Sequence, residues 1–172
     1  MRFTLVDKIT KLDAGKSVTA VKNLSLAEEY LADHFPGFPV MPGVLMLEAM
    51  VQASAWLMRY TEDFKYSTVL LKEARAVRFN SFVLPGQTLT VTATVRKWGE
   101  RECDFKAVGS VDGRPTVNAR LVLEQFNLSE KDPDLAESDR RSIASLHKLF
   151  VLLWAGLPVP ENSNDSRKED GT

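Results

Sequence analysis

Apolar and polar residues alternate along several short stretches of the chain: Phe3 to Thr10, Lys16 to Leu24, Ser67 to Phe79, Thr88 to Lys97, Arg101 to Val111 and Pro115 to Phe126. Each predicts a β-strand. The alternation is cleanest where Leu89, Val91, Ala93 and Val95 face one way and Thr90, Thr92, Thr94 and Arg96 the other, so one face of the sheet is buried. Asp112-Gly113 is a two-residue hairpin signal, and Trp98-Gly99-Glu100 marks a second reversal. Strands joined in this way form one antiparallel sheet. Between the second and third strands the pattern changes: from Pro42 to Tyr60 apolar residues (Val44, Leu45, Met46, Leu47, Met50, Val51, Trp56, Leu57, Met58) occupy every face of a helical period. That predicts a helix enclosed by the rest of the fold, with Pro42 in its first turn. The class is α+β. Ser25 and Glu28 have capping-box spacing, which predicts a short helix over Leu26 to Asp33.

The pattern shifts again after Leu128. Ser129 to Glu137 is polar, contains Pro133 and reads as a linker; Ile143, Leu146, Leu149, Phe150, Leu153 and Trp154 then recur at helical spacing and predict an amphipathic helix ending near Gly156. That helix packs on its own or a neighbouring subunit, with attachment to a membrane surface as the alternative. The tail from Glu161 has no large apolar residue and predicts disorder. The chain therefore divides into residues 1–128, a globular domain, and residues 129–172, an appendage.

Composition narrows the range of functions. With 172 residues, 44% of them hydrophobic, a core of useful size can be buried, and a net charge of -1 excludes a nucleic-acid-binding surface over most of the protein. The single cysteine, Cys103, can form no intramolecular disulfide and falls in an alternating strand, as a small core residue does; no stretch reads as a signal peptide, and the cytosol is the default compartment. The apolar run from Val40 to Met58 is interrupted by Pro42, Glu48 and Gln52 and reads as a core helix, not a membrane span. There is no metal-ligand cluster and no Gly-rich phosphate loop, so no cofactor is implied.

The candidate chemistry lies in HFPGFPVMPGVLMLEAMVQ, His34 to Gln52. Five of the eight residues from Pro36 to Gly43 are Pro or Gly, which holds the backbone beside His34 in a few conformations. A neutral imidazole can remove a proton from carbon next to a carbonyl if the developing oxyanion is stabilised, and the helix start at Gly43 offers backbone N–H donors for that. Glu48 lies about 7.5 Å further along the axis at ~1.5 Å per residue, an acid set among apolar residues. Base, carbonyl clamp and acid together describe β-elimination of water from a 3-hydroxyacyl compound. The same residues also admit a plainer reading in which His34 is structural, Glu48 pairs with a buried Arg, and Gln52 lies on a polar helix stripe.

HFPGFPVMPGVLMLEAMVQ resembles the signature of the 3-hydroxyacyl-acyl carrier protein dehydratases of the FabZ type, and FTLVDKI, AVKNLS, VRFNSFVLPGQ and VDGRPTVNARLVLEQF have counterparts there in the same order. The resemblance implies a hot-dog fold, an antiparallel sheet wrapped around a long central helix, to which the C-terminal helix is an addition. It implies His34 as the catalytic histidine, Glu48 as the catalytic carboxylate, and the Gly43 amide as donor to the thioester carbonyl. Gln52 would support Glu48. In that family the histidine of one subunit meets the carboxylate of the other, which implies a homodimer or a trimer of dimers. Glu48 and Val44, where the related dehydratase-isomerases carry Asp and usually Cys, favour dehydration without isomerisation. An acyl tunnel would be lined by Met46, Met50 and Phe82. Asn80 and Ser81 stand where the family is often basic, so Arg75, Arg78, Lys97 and Arg101 are the substitute docking residues for an acidic acyl carrier protein. Asp33 replaces a common Gly and could pair with His34. A hot-dog thioesterase and a non-catalytic acyl-binding or assembly protein are the competing functions.

Overall fold

A computed structural model describes residues 4–154. Strands β1 (Lys8–Asp13) and β2 (Ser17–Asn23) precede helix α1 (Gly43–Thr61), which is followed by β3 (Thr68–Phe79), β4 (Thr88–Trp98), β5 (Glu102–Val111) and β6 (Arg114–Phe126); helix α2 (Ala136–Leu153) comes last. The strands form a six-stranded sheet in the order β1-β2-β4-β5-β6-β3, and every pairing is antiparallel. The sheet's apolar face closes on α1, whose Met46, Ala49, Met50, Ala53, Leu57 and Met58 are buried against Leu89, Val91, Ala93, Phe105 and Leu121. This is the hot-dog fold.

The hairpin signals hold. Asp112 and Gly113 take φ values of 50° and 75°, the left-handed pair that a two-residue turn between β5 and β6 needs. Gly99 closes the β4–β5 reversal by donating its N–H to the Glu102 carbonyl at 2.8 Å. Cys103 is fully buried, and burial, with a smaller push from Asp104, drives its thiol up to about 12.

Three expectations need correction. The first strand is Lys8–Asp13, not Phe3 to Thr10. Leu5 and Val6 do enter the core, but the Leu5 N–H is bonded to the Gln52 side chain of α1, which draws this segment onto the helix and out of the ladder; Phe3 lies outside the described residues. The short helix over Leu26 to Asp33 is only a 3₁₀ turn at Glu29–Leu31. Glu28, which would complete the capping box, instead bonds the buried Lys22 of β2 at 2.6 Å, and the Ser25 hydroxyl accepts from the Ala27 N–H. The stretch from Ser129 to Glu137 is not a free linker but holds 3₁₀ turns at Leu128–Glu130 and Pro133–Leu135, and α2 already begins at Ala136.

Asp139 accounts for that last difference. It is buried, and it accepts hydrogen bonds from the Ser67 hydroxyl, the Leu128 N–H and the Ser129 N–H. Burial works against its charge, but the bonds from Ser129, Ser67 and Leu128 outweigh it and hold the carboxyl well below the usual carboxylate range. On the apolar side of α2, Phe150 stacks on Tyr60 at 5.4 Å and meets Phe64 at 5.4 Å and Trp56 at 6.0 Å. The helix thus packs on its own chain. The expected end near Gly156 and the tail from Glu161 lie outside the described residues.

Candidate active site

His34 sits at the start of the Pro/Gly loop and is half-buried. Its Nδ1 lies 2.9 Å from the Val40 carbonyl oxygen, and the Val40 N–H donates back to the His34 carbonyl at 3.0 Å. A carbonyl only accepts, so the proton belongs on Nδ1 and the lone pair of the neutral ring is left on Nε2. Nε2 makes no hydrogen bond to any described residue. Phe35 and Phe38 exchange backbone hydrogen bonds across the turn, the Phe35 ring stacks on the imidazole at 4.1 Å, and the Met41 N–H is bonded to the Val83 carbonyl. The His34–Phe35 peptide is cis. Asp33 is exposed and forms no ion pair with His34 among the described residues.

The helix start follows directly. Pro42 occupies the cap with ψ of 136°, no side chain caps the helix, and the Leu45 and Met46 N–H groups both turn to the Pro42 carbonyl. The amides of Gly43 and Val44 are therefore left without an acceptor among the described residues, as the first groups of a helix are. Phe79, the last residue of β3, lies over Gly43: a Cβ there would be 3.0 to 3.3 Å from its ring carbons. Only glycine fits beneath that ring without displacing it.

Glu48 is half-buried in the single chain, less enclosed than its apolar neighbours in sequence imply. Its Oε1 accepts from the Gln52 Nε2 at 2.9 Å, while the Gln52 Oε1 accepts from the Leu5 N–H at 2.9 Å. A backbone N–H only donates, so Leu5 fixes which way the amide faces and obliges Gln52 to donate to Glu48. His34 and Glu48 are not hydrogen-bonded to each other within the chain.

The remaining candidates scatter. Met46 and Met50 are packed into the core, whereas Phe82 is exposed, with its ring edge-on to Phe38 at 5.9 Å. Arg75, Lys97 and Arg101 gather around a depression of about 590 Å³ on the sheet, but Arg75 pairs with Glu73, and Arg101 bonds Glu130 at 2.8 Å and stacks over Tyr66. Arg78 stands apart, next to Phe79, and neither it nor Lys97 is ion-paired among the described residues. Sequence reasoning missed Val40, Phe79 and Leu5. Val40 and Leu5 act through the backbone, which no side-chain motif reveals, but Phe79 lies inside VRFNSFVLPGQ. Among the described residues no cluster of His, Cys, Asp and Glu could hold a metal, and no helix is long and apolar enough to cross a membrane.

The family model described as a FabA-like domain matches residues 1–125. A 3-hydroxyacyl-[acyl-carrier-protein] dehydratase FabZ of Ruminiclostridium cellulolyticum is 42% identical over 121 residues, 69% of this chain and 84% of that protein. The chain belongs to the FabA-like family, FabZ type. Another FabZ, from Thiobacillus denitrificans, is 38% identical over 71% of this chain and 82% of that protein. The family match contains the whole segment from His34 to Gln52 and stops short of α2. Solved structures share the fold at lower identity. The dehydratase heterocomplex ApeI:P from Xenorhabdus doucetiae superposes with a TM-score of 0.63 at 22% identity, covering 77% of this chain and 90% of that one. The smu.793 protein of Streptococcus mutans, bound to acetyl CoA, gives 0.57 at 12% identity over 73% and 93%.

Proposed function

We propose that this chain dehydrates 3-hydroxyacyl thioesters, carried on acyl carrier protein in the cytosol, to trans-2-enoyl thioesters during fatty acid biosynthesis. The observation that carries the mechanism is the bond between His34 Nδ1 and the Val40 carbonyl, which leaves Nε2 to act as base. Nε2 takes the proton from the carbon next to the thioester. Negative charge then moves onto the thioester oxygen, which accepts from the Gly43 amide at the positive end of α1; the absence of another acceptor for that amide among the described residues supports this role. As the electron pair returns, the carbon–oxygen bond at position 3 breaks, and the hydroxyl takes a proton from Glu48 of the partner subunit and leaves as water. His34 ends the cycle protonated and Glu48 ionised; exchange with solvent resets both.

Gln52 positions Glu48. Assembly as a homodimer, alone or as a trimer of dimers, is supported by β3, an edge strand with Leu70, Leu71 and Phe79 exposed, the kind of surface a partner covers. Phe79 also touches Gly43, so such an interface would reach the helix start. Met46, Met50 and Phe82 remain the proposed tunnel walls. Of the proposed carrier-docking residues, Arg78 and Lys97 form no ion pair among the described residues, and Arg78 adjoins Phe79, which covers Gly43.

The test uses 3-hydroxyacyl carrier-protein substrates and follows enoyl formation alongside free thiol release. Dehydration abolished by His34→Ala supports the reading, and thiol release without enoyl product would mark a thioesterase. Mixing His34→Ala with Glu48→Ala protein under subunit exchange should regenerate one intact site per mixed dimer; no recovery despite demonstrated exchange rejects the shared site.

A further inference from the structure

A cleft of about 720 Å³ separates α2 from the end of α1 and the start of β3, away from His34 and Glu48. Its walls carry the cations Arg59, Arg141 and Lys148 and no carboxylate. Arg141 is engaged by Glu137 at 3.0 Å, and Lys148 has no ion pair among the described residues. Arg59, in the last turn of α1, is half-buried with its guanidinium over the Trp56 ring at 5.1 Å. Its Nε is buried without a hydrogen-bond partner, and no acid pairs with it among the described residues. Burial pulls its pKa down to about 10, which leaves it charged at neutral pH. The helix C-terminus favours a cation there, but it does not supply the missing acceptor. A half-buried guanidinium whose Nε–H has no acceptor, at the wall of a cleft without carboxylates, favours an anion there.

The opposite wall is built to one pattern. Ser138, Arg141, Ser142, Ser145, Leu149 and Leu152 recur at three- and four-residue steps, so a single face of α2 presents hydroxyls at one end and leucines at the other. Leu152 is 81% exposed. The cleft's size suits a small ligand.

We propose that this cleft binds an anionic amphiphile, a carboxylate or phosphate head group bearing an alkyl chain, with Arg59 holding the head group and Leu149 and Leu152 lying along the chain. One wall of the site, on α2, lies beyond the family match, while Arg59 and the start of β3 lie within it; no residue of the cleft takes part in the dehydration chemistry.

Calorimetric titration of the full chain with laurate, dodecyl phosphate, dodecanol and inorganic phosphate tests it. Laurate or dodecyl phosphate should bind, and Arg59→Met should weaken that binding about tenfold or more through loss of a charge-assisted hydrogen bond. Ser145→Trp, a change at an exposed position, should fill the cleft and abolish binding, and it carries the test if Arg59→Met folds poorly. Dehydration should persist in the Ser145 variant, which separates this cleft from any binding of amphiphile near His34. Dodecanol binding as tightly as laurate would overturn the role of the anion, and inorganic phosphate binding as tightly would overturn the role of the chain. Equal affinity in parent and both variants, or no binding at all, would overturn the site.

Discussion

Gln52→Leu removes both the acceptor for the Leu5 N–H and a donor to Glu48. Leu5 is 2% exposed, so water cannot readily replace the lost acceptor. A stranded buried N–H costs about 1–3 kcal/mol. At roughly 2–4 °C per kcal/mol for a chain of this size, the melting temperature should fall by roughly 2–12 °C. Gln52→Glu is the informative companion, because it keeps an acceptor for Leu5 but sets a second carboxylate against Glu48. Two such groups at hydrogen-bond distance cannot both ionise freely, so the pair gains one pKa above the ordinary value of about 4.3. A carboxyl whose folded pKa is raised favours the folded state fully at pH below the unfolded value and loses that advantage as pH climbs through the raised one. The Gln52→Glu protein should therefore match its parent best near pH 4 and fall progressively behind towards pH 7, whereas the part of the Gln52→Leu deficit that comes from the stranded Leu5 N–H should be independent of pH. Urea unfolding followed by tryptophan fluorescence across that range reads both. A Gln52→Leu midpoint equal to the parent's, or a flat difference for Gln52→Glu, would refute the relay from Leu5 through Gln52 to Glu48.

Two further outcomes follow from contacts around the site and the added helix. Gly43→Ala should be destabilising alone but less so in a Phe79→Ala background, with a coupling of about 0.5–3 kcal/mol in a double-mutant cycle, since the atoms nearest the new Cβ all belong to that ring; strict additivity would mean that Phe79 does not cover Gly43. Asp139→Ala strands the Leu128 and Ser129 N–H groups, takes from the Ser67 hydroxyl its acceptor on α2, and should make the segment after Leu128 a preferred site of limited proteolysis. Because the Asp139 pKa is depressed on folding, its stabilisation is complete above about pH 4 and is lost as pH falls below the unfolded value. The parent and the variant should thus converge in stability in acid, and a gap that widened there would contradict the assignment.

Sequence reading succeeded where the signal is local. Alternation through Leu89, Val91, Ala93 and Val95, the Asp112-Gly113 turn and an uninterrupted apolar helix reflect periods of two and 3.6 residues that any strand or helix with a buried face must show. These located five of the strands and α1 to within a residue or two. The motif from His34 to Gln52 was equally plain, because rigid backbone, imidazole and acid are written in residue types. Reading failed at Leu5, Glu28 and Asp139, each of which looks ordinary in sequence. Leu5 is withdrawn from the sheet by a side chain 47 residues away, Glu28 is taken by Lys22 on β2, and Asp139 anchors a helix through Ser67, 72 residues distant.

The sequence by itself therefore determined the class of fold, the order of its strands along the chain and the central helix, and it supplied the candidate residues for chemistry. These depend on periodicity, backbone restriction and functional-group identity, all of which act over a few residues. Only the tertiary structure decided which His34 nitrogen is free, which way Gln52 faces, what covers Gly43, and that a serine-lined basic cleft lies beneath α2. Those answers depend on which donors and acceptors meet once distant segments are packed together. A hydrogen bond is set by distance and direction in space, and separation along the chain does not encode either.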